Sequence, residues 1–138
     1  EVLRASDALR EAAVPHAVNY LLEPGRFRIA RDASEAGVLA PAVRDALYPT
    51  SAQARVFVTH TRPEPMLGVL RPLDTGPART RVLGFVNRGG TLDVAGMLLA
   101  NRCTARHVLA AAVEALDLDP AQVATGARAS DAARRTPA

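Results

Sequence analysis

Three histidines, one cysteine and seventeen arginines are the residues of this chain with chemistry to offer. His16, His60 and His107 stand at no metal-ligand spacing from one another or from Cys103, so the sequence predicts no metal centre. His60 closes the apolar run that starts at Arg55. If that run is a strand, His60 lies at its carboxyl end, where open α/β sheets bind ligands. The competing reading is a strand-end histidine that hydrogen-bonds the following loop. His107 falls inside a helical pattern and reads as a packing or surface residue. Cys103 has Arg102 and Arg106 close by, and such neighbours lower a thiol pKa. Neither a base nor an oxyanion site can be assigned to it from sequence, so a structural thiol is the preferred reading.

The glycines and arginines suggest anion chemistry. Gly84, Gly89 and Gly90 flank a strand-to-helix passage that ends at Thr91. Free backbone N–H groups at such a passage can hold phosphate or carboxylate. The spacing matches neither a Walker loop nor the dinucleotide fingerprint, and a plain turn is the default. Arginine suits bidentate recognition of phosphate and carboxylate. His60, Arg62, Arg71, Arg79, Arg81, Gly89, Gly90 and Thr91 therefore form a candidate anion or effector edge. Ordinary solvent-exposed charge is the simpler alternative.

Positioning these residues is a task for one domain. The chain has 138 residues, 49% hydrophobic and 22% charged, enough apolar content to bury a core. A single cysteine excludes an internal disulfide framework. The longest apolar runs, 97–100 and 108–113, fall far short of the roughly 20 residues of a membrane helix. We expect no membrane partner and a cytoplasmic location. The net charge is +3 and lysine is absent. Its arginines are scattered among acids such as Glu11, Asp32, Asp45 and Asp93, which speaks against a nucleic-acid binder. The chain starts at Glu1 without methionine and shows no signal peptide, so we expect a processed chain or a fragment of a longer one.

Periodicity predicts an amphipathic helix over 1–14, stopped by Pro15, and a buried strand over 16–22. A short extended piece follows at 27–29, then a helix from Pro41 to before Pro49. The run 55–60 is the clearest strand, and its continuous Val56-Phe57-Val58 predicts an interior strand buried on both faces. A short helix between Pro63 and Pro72 and a strand over 81–86 come next. Gly89 and Gly90 are expected at positive φ. Thr91 is expected to cap a helix that covers 94–99, with Asp93 in its first turn. Thr104 should cap a longer one over 105–116. Strands alternating with helices imply an α/β domain with a largely parallel sheet. We assign 1–125 to this domain and 126–138 to a flexible tail.

The segment 84–109, GFVNRGGTLDVAGMLLANRCTARHVL, resembles the C-terminal segment of phosphoketolases. Gly84, Phe85, Gly89, Thr91, Met97, Asn101 and His107 follow the family's order without a gap. ALYPTSAQARVFVTH is similar to the family's lead into a strand and histidine, and residues 1–22 to its first helix and strand. After His60 the family continues glycine, aromatic, proline, where this chain has Thr61, Arg62 and Pro63. The resemblance implies a three-layer α/β/α domain with a mostly parallel sheet, like the transketolase C-terminal domain. It also implies a parent lyase of carbohydrate metabolism that splits ketose phosphates to acetyl phosphate and an aldose phosphate. Thiamine diphosphate and Mg²⁺ would sit on earlier domains of that parent, a homodimer. This chain has no Gly-Asp-Gly diphosphate signature, so no cofactor and no catalytic residue are assigned to it. Its expected role is structural and regulatory. Two alternatives stay open: a stand-alone small-anion-binding α/β module, and a separately encoded subunit of a split thiamine enzyme.

Overall fold

Arg55 to Val58, the most apolar strand candidate, forms β1 and pairs in parallel with β2, Thr80 to Leu83. Arg55 lies beside Thr80, and Val58 beside Leu83. In the computed structural model, residues 1–35, 37–86, 90–121 and 123–124 are described. Parallel strands need a crossover, and α3 (Pro63–Val69) with a 3₁₀ turn at Arg71–Leu73 supplies it. The remaining helices are α1 (Val2–Glu11), α2 (Pro41–Leu47), α4 (Val94–Ala100) and α5 (Ala105–Leu116), of which α5 packs on both strands and on α1. The architecture is mixed α/β, with a two-stranded parallel sheet among the described residues.

Successive side chains of a strand point to opposite faces, and β1 feeds two separate cores. Val56 packs with Leu9, Ala112, Val113 and Val123 against α1 and α5. Phe57 packs with Phe27, Leu70 and Leu73, together with Tyr48 and Met66. The Tyr48 ring lies edge-on to Phe27, with centroids 5.6 Å apart.

Several expectations need correction. Residues 16–22 form no strand: Val18, Tyr20 and Leu22 are exposed, Tyr20 to 88%. Because this run stays out of the sheet, β1 has β2 as its sheet neighbour and no strand on its other side among the described residues. Val56, Phe57 and Val58 are consequently half-buried, not sealed on both faces. The first helix ends at Glu11, where Ala13 enters the left-handed region at φ 54°. Phe27, expected to open an extended piece over 27–29, instead ends a 3₁₀ turn, Pro24–Phe27, after which Arg28 is extended. The second strand starts at Thr80 and ends at Leu83, three residues short of the expected end.

The helix caps also differ. Asp93, not Thr91, caps α4, and its carboxylate accepts the Gly96 N–H at 2.7 Å. Thr104 stands at the N-cap of α5 but makes no side-chain cap bond. The Glu1 carboxylate instead accepts the Ala105 N–H at 2.6 Å, tying the start of α1 to the start of α5. Gly90 has φ 82°, as expected, whereas Gly89 lies outside the described residues. The expected tail, 126–138, also lies outside them.

Candidate functional site

At the carboxyl end of the sheet the two chains leave side by side. Thr59 donates its N–H to Leu83 O, and Phe85 donates to Thr61 O. Gly84 lies between these bonds, and the approach is so close that a Cβ there would stand 2.6 Å from Thr61 O. Glycine is the residue that this approach allows. Asn101, at the end of α4, then fixes the outgoing segment. Its side-chain oxygen accepts the Val86 N–H at 2.6 Å, and its amide donates to Met97 O at 2.8 Å. One asparagine therefore binds both the passage after β2 and the last turn of α4.

This arrangement frames a cleft of about 330 Å³ between β2 and α5. Gly84 and Val86 line one side, and Arg102, His107 and Glu114 the other. Arg81 also lines it, but its guanidinium is committed. It donates to Pro77 O at 2.7 Å and lies 3.8 Å from the Glu114 carboxylate. Arg102 has a left-handed backbone, φ 56°, and is exposed. His107 is half-buried, and its Nδ1 shares a hydrogen bond of 2.7 Å with the Thr104 hydroxyl. Desolvation, followed by the charges of Arg106 and Arg102, pushes its pKa below the usual histidine value. At neutral pH the cleft thus holds a neutral imidazole among guanidinium groups. Such a set can accept a phosphate or carboxylate by hydrogen bonds and charge.

The residues of the sequence-derived edge are spread along the sheet. His60 and Arg62 are exposed just beyond β1, and Gly90 and Thr91 are exposed beyond β2. Arg79 precedes β2 at the opposite end, and its guanidinium donates to Ala115 O at the end of α5. Arg71 is exposed in the 3₁₀ turn before Leu73, whose carbonyl meets Arg55 at the start of β1. Of the described edge residues, Arg81 alone lines the cleft. Sequence reading did not select Asn101, Arg102 or His107 for it. The order Asn101-Arg102-Cys103-Thr104 between two helical patterns was the available signal, since such a corner presents side chains beside a strand end.

Cys103 takes the structural role preferred for it. It is 6% exposed, its thiol donates to Asn101 O at 3.3 Å, and burial raises its pKa despite the neighbouring arginines. It packs as a small apolar side chain. No group of three or more metal-ligating side chains occurs among the described residues. No helix among them is long and apolar enough to cross a membrane. No family model matches the chain, and no curated protein or solved structure matches it.

Proposed function

We propose that this chain is the C-terminal α/β domain of a phosphoketolase-type enzyme and that it serves structure and regulation. In this reading β1 and β2 lie in the middle layer of a three-layer, transketolase C-terminal-like domain. The packing of Val56 to one side and Phe57 to the other supports that placement. The parent splits ketose phosphates to acetyl phosphate and an aldose phosphate in the cytoplasm, as a homodimer. Its thiamine diphosphate and Mg²⁺ belong to earlier domains, which are this chain's partners.

The observation that carries the reading is the knot at residues 84–101. Gly84, Phe85, Met97 and Asn101 are four members of the ordered series by which the chain resembles phosphoketolases. All four take part in one local structure: the Gly84 close approach, the Phe85–Thr61 bond and the Asn101 bridge to Val86 and Met97. Residues spaced by sequence order thus have a common mechanical reason to occur together. The regulatory element of the proposal is an anionic effector, held by Arg102 and His107, with His60, Arg62 and Thr91 exposed beyond the strand ends of the same edge.

A stand-alone anion-binding module is the second reading, and the Arg102–His107 cleft favours it. The open reading frame separates the two. The enzyme-domain reading expects a long frame with a Gly-Asp-Gly signature upstream. It also expects no heat of binding when this chain alone is titrated with thiamine diphosphate and Mg²⁺. A frame that ends near this length, or micromolar cofactor binding by the chain alone, overturns it.

A further inference from the structure

Away from the cleft, α1 and the turn after it bring a hydroxyl and an imidazole together. Ser6 is in the middle of α1 and is 7% exposed. After the helix the chain turns back on itself. Val14 N–H donates to Leu9 O at 2.9 Å and Ala13 N–H to Arg10 O at 3.0 Å, the pattern of a Schellman-type stop. This return places His16 Nε2 2.7 Å from Ser6 Oγ. On its other side, His16 Nδ1 lies 2.8 Å from Val14 O.

The carbonyl settles the direction of the second bond. A carbonyl oxygen only accepts, so Nδ1 carries the proton and donates it to Val14 O. In the neutral tautomer with its proton on Nδ1, Nε2 has a free lone pair, and the Ser6 hydroxyl donates to it. A hydroxyl bonded to a base, with that base oriented by a third group, is the geometry of an activated nucleophile. Both residues line an open cavity of about 550 Å³. Leu3, Val14, Pro15 and Val18 give it an apolar wall, and Arg10 lines it one turn beyond Ser6. Arg10 gives one N–H to Asp7 at 3.0 Å, and a guanidinium has five.

We propose that Ser6 and His16 form a nucleophile–base pair that takes acyl groups from small carboxylic esters with apolar acyl chains. Ser6 Oγ attacks the ester carbonyl carbon while its proton passes to His16 Nε2. The tetrahedral adduct collapses, the carbon–oxygen bond to the alcohol breaks, and the imidazolium returns the proton to the departing oxygen. The product is acyl-Ser6 and free alcohol. Water then adds to the acyl carbon and gives a proton to Nε2; the bond from that carbon to Ser6 Oγ breaks, the imidazolium returns the proton to Oγ, and the carboxylic acid leaves. Arg10 opposes the negative charge on the adduct oxygen. The site uses no residue of the 84–101 knot and is independent of the phosphoketolase reading.

The test uses the intact chain with p-nitrophenyl acetate as probe and peptide mass spectrometry to locate the acetyl group. Acetylation of Ser6 is expected, with no acetyl on the corresponding peptide of Ser6→Ala. His16→Ala should acetylate at least about 100-fold more slowly, and added imidazole should restore part of the Ser6 rate. No adduct on wild-type Ser6, or the same Ser6 rate in His16→Ala, would overturn the proposal. The wild-type adduct is decisive whether or not His16→Ala folds, because absence of acetyl-Ser6 removes the nucleophile.

Discussion

On one side of the β1–β2 pair, Val56 meets Leu9, Ala112 and Val113 from two regular helices. On the other side, Phe57 meets Phe27, Leu70 and Leu73 from turns and helix ends. The helical face is made largely of small aliphatic side chains, whose backbones satisfy themselves within α1 and α5. The aromatic face has little regular structure to satisfy its carbonyls, and Arg55 does so from the first position of β1. Its guanidinium donates to Leu73 O at 2.7 Å, Tyr48 O at 3.0 Å and Pro49 O at 3.2 Å, and lies over the Tyr48 ring. Desolvation lowers the arginine's pKa, and its Nε is buried without a partner among the described residues. Where helices are absent, one side chain gathers the carbonyls of irregular chain.

Truncation at the two cores should break or confirm this contrast. Leu73 is 1% exposed within the cluster that holds Phe27, Leu70 and Phe57, so Leu73→Ala should cost about 3–5 kcal/mol. Leu9→Ala, at 8% exposure on the helical face, should cost about 2–3 kcal/mol. Urea midpoints of the two variants give the comparison, and an equal or larger loss for Leu9→Ala would refute it.

Arg55→Met keeps the aliphatic stem but strands three carbonyl acceptors. We expect a loss of about 2–3 kcal/mol, together with loss of the ring contacts of Tyr48 in near-UV circular dichroism. A midpoint within error of wild type would mean that the aromatic face holds without its clamp. Gly84→Ala bears on both faces, since Gly84 sits where the two chains leave the sheet. A Cβ 2.6 Å from a backbone oxygen forces the chains apart, so the loss should be about 1–3 kcal/mol. Hydrogen exchange should show faster loss of the Phe85 amide in that variant, and unchanged protection would contradict the close approach.

The smallest effect belongs to Glu1, which joins α1 to α5 on the helical face. The Ala105 N–H bond, ahead of the contributions of its own amino group and Arg4, holds the Glu1 carboxyl below the usual glutamate value. A depressed carboxyl stabilises the fold above its unfolded pKa, about 4.3. That stabilisation is lost as the pH falls through the lower folded value. Glu1→Gln should therefore lower stability by about 0.5 kcal/mol at pH 7 and leave the acid limb of the stability profile shallower. An identical acid limb in the variant would remove Glu1 from the account.

The sequence made some of this contrast legible and concealed the rest. β1 and α5 are readable because a continuous Val56-Phe57-Val58 and the 105–116 period need no distant partner to be recognised. The run 16–22 misleads for the opposite reason. Its apolar residues suit a strand, but a strand exists only beside another, and here Asn19 donates its side chain to Leu47 O while Tyr20 and Leu22 face outward. The cap of α5 is concealed because its acceptor, Glu1, lies 104 positions away. Arg55 reads as the polar first residue of a strand, and its three carbonyl partners come from turns whose proximity only the fold creates. Gly84 and Asn101 are likewise concealed, because the crossing at Thr61 and the bridge to Val86 exist only once the segments meet.

The claim that this domain belongs to a phosphoketolase-type enzyme is tested most directly on the product of the whole open reading frame. That protein would be incubated with thiamine diphosphate, Mg²⁺, inorganic phosphate and xylulose 5-phosphate or fructose 6-phosphate, and acetyl phosphate would be measured as its hydroxamate. The account predicts acetyl phosphate from the whole protein and none from this chain alone. Acetyl phosphate from the isolated chain, or none from the whole protein with either sugar phosphate, would contradict it.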